Sequence, residues 1–258
     1  MRLRIKHFVV FITIISVLSC RERVYHLSEI KGAQLPIEHT KAKTELDSID
    51  AFVAPYRNHV NSVLDAPLSY APKTITSNDG RYNSSAGNLL ADIVMEQANP
   101  VFKSRTNRDI DFVVLNHGGI RSVISAGDIS SRTAYEVMPF ENMIVIIEMK
   151  GKSIRDLVSH LVRSNRPHPI SGLQIVIGHN DQLVSVSIQG RPFDETRSYY
   201  VATSDYLFSG GDDMKFFKEG LEHTEIQYLM RNAMIDYFKK KDTVLAAVDD
   251  RFIKLDSL

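Results

Sequence analysis

Two spacings of apolar residues divide this chain into predicted strands and helices. Short runs of apolar and β-branched residues are typical of strands, and they occur at residues 111–115, 142–149, 173–177, 183–188, 199–203 and 252–255. Apolar residues repeated every three to four positions are typical of amphipathic helices, and they occur at residues 46–64, 87–97, 154–161 and 226–237. Pro67 and Pro72 predict irregular chain after the first helix.

Local signals predict where several of these elements begin and end. The first helical pattern stops at Pro55 and resumes at Val60. Lys150 and Gly151 form a turn after a strand, and Ser153 with Asp156 forms a capping signature for the next helix. A polar turn at 178–181 joins two strands into a hairpin.

These elements predict one mixed α/β (α+β) domain over residues 66–258, with mixed sheets and packed helices. The chain has 258 residues, of which 43% are hydrophobic and 24% charged, so it can fold around its own core. Its 31 basic and 31 acidic side chains cancel, which removes the electrostatic reason to expect nucleic-acid binding. The single cysteine excludes an internal disulfide and a Cys-rich zinc site.

The amino terminus has the pattern of an export signal. Arg2, Arg4 and Lys6 precede the apolar run 8–18, which is too short to span a bilayer as a mature helix. Residues 17–20, Val-Leu-Ser-Cys, resemble a bacterial lipobox, in which the cysteine is acylated. The alternative is an ordinary cleavage site beside an incidental cysteine.

The lipobox reading predicts a signal peptide at 1–19, a lipid anchor at Cys20, a tether at 20–40 and a docking helix at 41–65. The chain is then an exported lipoprotein anchored to a membrane of the cell envelope, on its periplasmic or cell-surface face.

Four short segments carry the candidate chemistry. They are Ala86-Gly87-Asn88, Asn116-His-Gly-Gly-Ile-Arg121, Met138-Pro-Phe-Glu-Asn142 and Asp205-Tyr-Leu-Phe-Ser-Gly-Gly-Asp212. In order and spacing they closely resemble the carboxy-terminal, substrate-binding domain of the 5′-nucleotidase and UDP-sugar hydrolase family, over roughly residues 70 to 255. The resemblance implies that family's fold and a nucleoside or nucleotide ligand.

The resemblance also implies a role for individual side chains. Phe140 and Tyr206 correspond to two rings that hold the base between them, and such stacking tolerates different bases. Asp212 is expected to accept from the ribose diol, and Arg121 to reach the sugar and the phosphate side. Asn142 is expected to bond the base edge.

Further residues of the same segments complete the expected site. Asn116, Gly118 and Gly119 form a loop along which the backbone can approach the ligand, and Gly211 does the same beside Asp212. His117 stands where the family often has a small residue, so it is expected to narrow the pocket or to bond a base.

Three more positions depart from the family pattern or are uncertain in register. Tyr206 replaces the usual phenylalanine. Asp213 stands where a further glycine is common, and Arg81 is the nearest candidate for an additional substrate-binding arginine.

Each of these residues also has a purely structural interpretation. Phe140 precedes an apolar strand and could be part of the core. Arg121 could form a surface ion pair, Asn142 could open its strand, and Asp212 could cap a turn beside its glycines. The sequence leaves these alternatives open for each residue taken singly.

The residues that would perform hydrolysis in this family are not expected in this chain. The family's chemistry resides in a separate metallophosphatase domain that binds two metal ions, and roughly 65 residues before the recognised domain cannot contain such a fold. The nine histidines are scattered, and no Gly-x-Ser-x-Gly elbow is present. We therefore expect no catalytic residue, metal or other cofactor in this chain, and divalent metals only in a partner phosphatase.

Three functions remain open at this point. The first is the nucleotide-recognition half of a 5′-nucleotidase, with a separate metallophosphatase chain as partner. The second is a non-catalytic lipoprotein that binds nucleosides or nucleotides. The third is an autonomous hydrolase with an unrecognised site.

Overall fold

The computed structural model describes residues 31–32 and 43–255, and it describes the side chains of all of these except residues 43–47. The predicted signal peptide and Cys20 lie outside these residues, as does all of the predicted tether except residues 31–32. The chain divides into two compact units, Met1–Val53 and Ala54–Leu258. Described helices and strands other than the first helix lie entirely in the second unit.

The helices are numbered here in chain order. They are α1 Lys43–Leu64, α2 Ser85–Thr106, α3 Ser131–Val137, α4 Gly151–Ser164, α5 Asp205–Phe208 and α6 Met230–Lys240. Three further segments are 3₁₀-helical: His117–Gly119, Gly211–Asp213 and Lys215–Glu219. Among the residues that the structure describes, none of the helices combines the length and apolar character needed to cross a bilayer.

The strands form three sheets. They are β1 Pro67–Ala71, β2 Phe112–Val114, β3 Gly127–Ser130, β4 Met143–Lys150, β5 Ile170–Ser171, β6 Leu173–Ile177, β7 Leu183–Ile188, β8 Arg191–Pro192, β9 Ser198–Ser204, β10 Glu222–Leu229 and β11 Phe252–Lys254. The central sheet has the order β10-β4-β9-β2-β5, a second has the order β11-β6-β7-β8, and β1 pairs with β3. The mixed α/β architecture is confirmed, as is the hairpin of β6 and β7.

The central sheet is buried on both faces, which explains why β4 is a nearly continuous apolar run. Ile144 and Ile146 point into a first core, which also contains the apolar faces of α2 and α6. Val145 and Ile147 point into a second core, which contains the apolar face of α4 and residues of β6. Successive side chains of a strand point to opposite faces, so a single strand contributes to both cores.

Most of the apolar side chains that the structure describes on helix α1 are exposed. It runs through Pro55 as one helix, whereas the sequence suggested an interruption there. In the second unit, Tyr56, Val60 and Val63 are all more than half exposed. The end of the helix is fixed to the domain by Arg132 of α3, which pairs with Asp65 and donates to Asn61 Oδ1 at 2.8 Å. The docking role of this helix stays a prediction.

The prediction of a helix across residues 226–237 was wrong in its first third. Residues 222–229 form β10, an edge strand that pairs antiparallel with β4, and the helix starts only at Met230. The strand is bulged near its end, where Gln227 has a φ of 55°. The apolar residues Ile226 and Leu229 of this irregular strand are three positions apart. That spacing also fits the apolar face of the helix that follows, so the sequence pattern continued into the strand.

Two boundary predictions were also wrong. Pro67 begins strand β1 rather than irregular chain, which is possible because a first strand position does not need its N–H in the ladder. Helix α4 begins at Gly151, directly after β4, so Ser153 lies inside its first turn and is not a cap. A Cβ on Gly151 would lie 2.1 Å from the carbonyl oxygen of Glu195, so only glycine fits this junction.

Candidate functional site

Three loops meet at one edge of the central sheet. Strands β2 and β9 are parallel, so their carboxyl ends lie together, and β4 is antiparallel to β9, so its amino end lies there too. The segments Asn116–Arg121, Met138–Asn142 and Asp205–Asp212 follow or precede these strand ends. Polar and aromatic residues that are far apart in the sequence therefore share one location.

A cavity of about 340 Å³ opens at this edge. It is lined by Asn116, Gly118, Arg121, Phe140, Asn142, Tyr206 and Asp212. All of these residues belong to the set that the sequence singled out. The volume falls near the lower end of the range of about 300 to 1,000 Å³ that is usual for small-molecule pockets.

Volume alone does not distinguish this cavity from others on the described surface. A groove beside Val63 and Tyr135 measures about 430 Å³, and one beside Ile75 and Val244 about 380 Å³. The site at the sheet edge differs in combining two aromatic rings with a carboxylate, a guanidinium and two amides. We therefore select it by its chemistry.

Four predicted residues do not line the cavity. His117, Gly119 and Gly211 lie in the same loops but are not among the lining residues. Arg81 lies elsewhere: its Nε donates to Asn165 Oδ1 at 3.4 Å, and its guanidinium lies 5.3 Å from the ring centroid of Tyr82.

The turn after β2 presents Asn116 and Gly118 to the cavity. The N–H of Gly119 donates to the carbonyl of Asn116 at 3.1 Å and closes a 3₁₀ turn. A Cβ on Gly119 would lie 3.0 Å from Asn116 Oδ1, so a side chain there would displace the amide. Arg121 donates to the carbonyl of Gly118 at 3.3 Å, which holds the guanidinium over the same turn.

His168 supports this turn through a hydrogen bond. It is 4% exposed, and its Nδ1 accepts from the backbone N–H of His117 at 3.4 Å. Burial, reinforced by the nearby His160, lowers the pKa of His168 to about 4, so at neutral pH it is uncharged and able to accept. The side chain of His117 has its Nδ1 buried without a hydrogen-bond partner in the described structure.

The loop Met138–Asn142 is held by the first turn of α6. Arg231 is 6% exposed and donates to the carbonyls of Pro139 at 3.1 Å and Phe140 at 3.4 Å. The N–H of Met230 donates to the carbonyl of Asn142 at 3.0 Å. Phe140 itself is 44% exposed, which rules out the alternative that its ring is part of the core.

The segment after β9 carries the second ring and the carboxylate. Ser204 caps α5 by accepting from Leu207 N–H at 3.1 Å, and this places Tyr206 at the cavity with 44% exposure. Asp212 and Asp213 have φ values of 49° and 60°. Aspartate is among the few non-glycine residues that adopt this left-handed region readily, so Asp213 can replace a glycine here.

Arg121 and Phe140 are also in contact across the cavity. The guanidinium carbon lies 5.9 Å from the ring centroid, within the range of a cation–π interaction. The arginine therefore lies beside an exposed ring. The alternative that Arg121 forms a surface ion pair has no support, since no ion pair of Arg121 occurs among the described side chains.

Sequence reasoning missed Arg231 and His168. Arg231 lies between apolar helix positions, and its partners are about ninety residues away in the sequence, so no local pattern indicates its role. His168 had a local signal, because it is flanked by Pro167 and Pro169 directly before β5. No three His, Cys, Asp or Glu side chains within the described part of the chain are placed to hold a metal ion.

Residues 66–219 match the family model described as 5′-nucleotidase, C-terminal domain. The chain belongs to this family. The match covers every lining residue of the cavity. Similarity to solved structures agrees on the fold: the chain aligns over 83% of its length, with a TM-score of 0.65 and 23% identity, to 43% of the 5′-nucleotidase precursor of Thermus thermophilus.

Relatives of known sequence are much longer than the matched region. The cell wall protein Lmo0130 of Listeria monocytogenes is 28% identical over 204 residues, which are 70% of this chain and 25% of that protein. Protein UshA of Escherichia coli is 33% identical over 105 residues, which are 40% of this chain and 19% of that protein. The chain thus spans about a quarter or less of these relatives. Similarity over this part does not assign the activities of the complete relatives to this chain.

Proposed function

We propose that this chain is the nucleoside- and nucleotide-recognition half of a 5′-nucleotidase-type phosphoester hydrolase. A separate metallophosphatase chain would supply the two metal ions and the activated water. One observation carries the proposal: Phe140 and Tyr206, both exposed, line the same cavity as Asp212 and Arg121. Membership of the family supports the same ligand class.

The lining residues suit the parts of a nucleoside. Each exposed ring offers a face for base stacking, which contributes about 1 to 3 kcal/mol per base. A carboxylate accepts from hydroxyl donors, and the amides of Asn116 and Asn142 can both donate and accept. Arg121 supplies the one positive charge among the lining residues and is the expected neighbour of a phosphate.

Binding can be tested by titration calorimetry of the full chain with adenosine, AMP and a nucleotide sugar. We expect saturable binding of at least one of them, and weaker binding by the Asp212→Ala variant. Lys73→Ala, a change on a different surface, serves as the control. If none of the ligands binds, the proposal is wrong.

The catalytic part of the proposal needs a second measurement. A metallophosphatase chain from the same cell would be assayed for AMP hydrolysis with Mn²⁺ or Zn²⁺, alone and with this chain. Stimulation that is lost in Asp212→Ala supports a split enzyme. Binding without stimulation of any phosphatase supports the second candidate, a non-catalytic nucleotide-binding lipoprotein. Turnover by this chain alone would contradict both.

We also propose that the chain is exported and held at a membrane of the cell envelope through a lipid on Cys20. The residues before Cys20 support this, as does the similarity to a cell wall protein of Listeria monocytogenes. Mass spectrometry of the mature protein and detergent partition test it. A Cys20→Ser variant is expected to move to the aqueous phase, and an unmodified wild-type Cys20 would contradict the anchor.

A further inference from the structure

The hydroxyl of Tyr206 is bonded to the carboxylate expected to hold the sugar. It donates to Asp212 Oδ1 at 2.9 Å, and both residues line the cavity. The same hydrogen bond is the main cause of a raised pKa of the Tyr206 phenol, because ionisation would place a negative charge beside Asp212. The ring and the carboxylate are therefore joined within the site.

The backbone between the two residues fixes this arrangement. A Cβ on Gly211 would lie 2.5 Å from Cε1 and Cζ and 2.7 Å from Cε2 of the Tyr206 ring. These nearly equal distances put it over the ring face, so Gly211 covers one face and a base would stack on the opposite one. Asp212 follows in a left-handed conformation, which turns its carboxylate back towards the phenol.

The hydrogen bond leaves acceptors available for a ligand. Each carboxylate oxygen has two lone pairs, so Asp212 keeps Oδ2 entirely and one lone pair of Oδ1. The phenolic oxygen, having donated its proton, still accepts. A vicinal diol brings two donors, and in this cavity it would meet acceptors whose positions are fixed by the same ring on which a base would stack.

We propose that the Tyr206 hydroxyl is a specificity-determining group that positions Asp212 and makes the site select ribonucleosides over their deoxy analogues. This inference rests on the proposed function. Phenylalanine at this position would keep the stacking face but would leave the carboxylate free to turn. With tyrosine, the ring that stacks on the base and the carboxylate that holds the ribose form a single rigid unit.

The test compares adenosine, 2′-deoxyadenosine and adenine as ligands of the full chain in calorimetry. In Tyr206→Phe we expect adenosine affinity to fall about fivefold, adenine affinity to stay within about twofold, and the preference for adenosine over 2′-deoxyadenosine to shrink accordingly. The matched control is Tyr70→Phe, which removes the hydroxyl of a tyrosine that is 48% exposed on β1. It is expected to change none of the affinities.

A double-mutant cycle shows whether the hydroxyl acts through Asp212. In an Asp212→Ala background, which removes the acceptor of this hydrogen bond, Tyr206→Phe is expected to have little further effect. The inference is overturned if Tyr206→Phe leaves adenosine binding unchanged, strengthens it, weakens adenine equally, or has its full effect without the carboxylate. If wild type binds no nucleoside, the proposed function fails and this inference falls with it.

A measurement without ligand checks the contact itself. The pKa of Tyr206 can be followed by NMR of tyrosine labelled with ¹³C at Cζ, with the signal assigned by its loss in Tyr206→Phe. Asp212→Asn is expected to lower this pKa towards the ordinary value near 10. An unchanged value in Asp212→Asn would show that the two side chains are not bonded, and the inference would be wrong even if nucleosides bind.

Discussion

Acidification is expected to destabilise this domain through a single buried histidine. The pKa of His168 is about 4 in the folded protein and about 6.5 in an unfolded chain. Because the unfolded chain binds the proton first, the free energy of unfolding falls as the pH falls from about 6.5 towards 4. From these two values the loss is about 2 kcal/mol by pH 5 and about 3 kcal/mol by pH 4.

The structure explains both the size of the effect and its location. His168 is almost fully buried, lies 6.2 Å from the His160 ring and accepts from His117 N–H through Nδ1. Protonation puts a charge into this environment and removes the acceptor. The turn that presents Asn116 then loses its support, so ligand affinity is expected to fall only as the pH approaches 4, where His168 of the folded protein itself becomes protonated.

Urea unfolding at pH 7, 6, 5 and 4 measures the effect in wild type and in His168→Asn, whose side-chain oxygen can still accept from His117. The variant is expected to lose less stability on acidification, by about 2 kcal/mol at pH 5. His179→Asn, a change at an exposed histidine, is the control and should follow wild type. If wild type and His168→Asn show parallel pH profiles, the buried-histidine explanation is refuted.

Three further substitutions, one of them with a matched control variant, test other parts of the site. Arg231→Met removes the donor to two backbone carbonyls beside Phe140, so we expect a loss of about 1 to 3 kcal/mol in unfolding free energy and weaker adenosine binding; unchanged binding would show that Arg231 does not position the ring. Phe140→Ala is expected to cost about 1 to 3 kcal/mol of adenosine binding in calorimetry with little change in thermal stability, since the ring is exposed; a large stability loss would mean that the ring belongs to the core. Gly211→Ala pushes a methyl group against the Tyr206 ring and should lower both adenosine affinity and melting temperature. The control is Gly118→Ala, whose Cβ comes no closer than 3.8 Å to another group and which should leave the melting temperature unchanged. Equal melting temperatures for the two variants would contradict this packing.

Local sequence patterns were sufficient to predict the elements whose apolar side chains are buried along the whole element. Strand β4 was recognisable because both of its faces are buried, and α4 because Ile154, Leu157, Val158 and Leu161 all point into the second core. Strand β10 was mistaken for helix because it lies at an edge, carries a bulge, and buries few of its side chains. Partial burial removes the alternation on which strand prediction depends.

The candidate site was predictable as a set of residues but not as a set of contacts. Short motifs located the three loops, and the structure brings them to one cavity. The interactions that hold the loops in place connect distant positions: Arg231 reaches back to Pro139, and His168 reaches back to His117. Nothing in the spacing of a single sequence specifies such long-range hydrogen bonds, and Arg81 shows how a plausible residue type can be placed elsewhere.

The two rings of the cavity are fastened on opposite sides of the central sheet. Phe140 is held by α6, which belongs to the first core, whereas Tyr206 is next to Leu207, which belongs to the second core. The separation between the rings therefore depends on the β4–β9 ladder, which includes residues such as Ala202 that do not line the cavity. A change in sheet twist alone is therefore expected to alter which ligands fit between the rings, and a mutational scan confined to the cavity wall would overlook those positions.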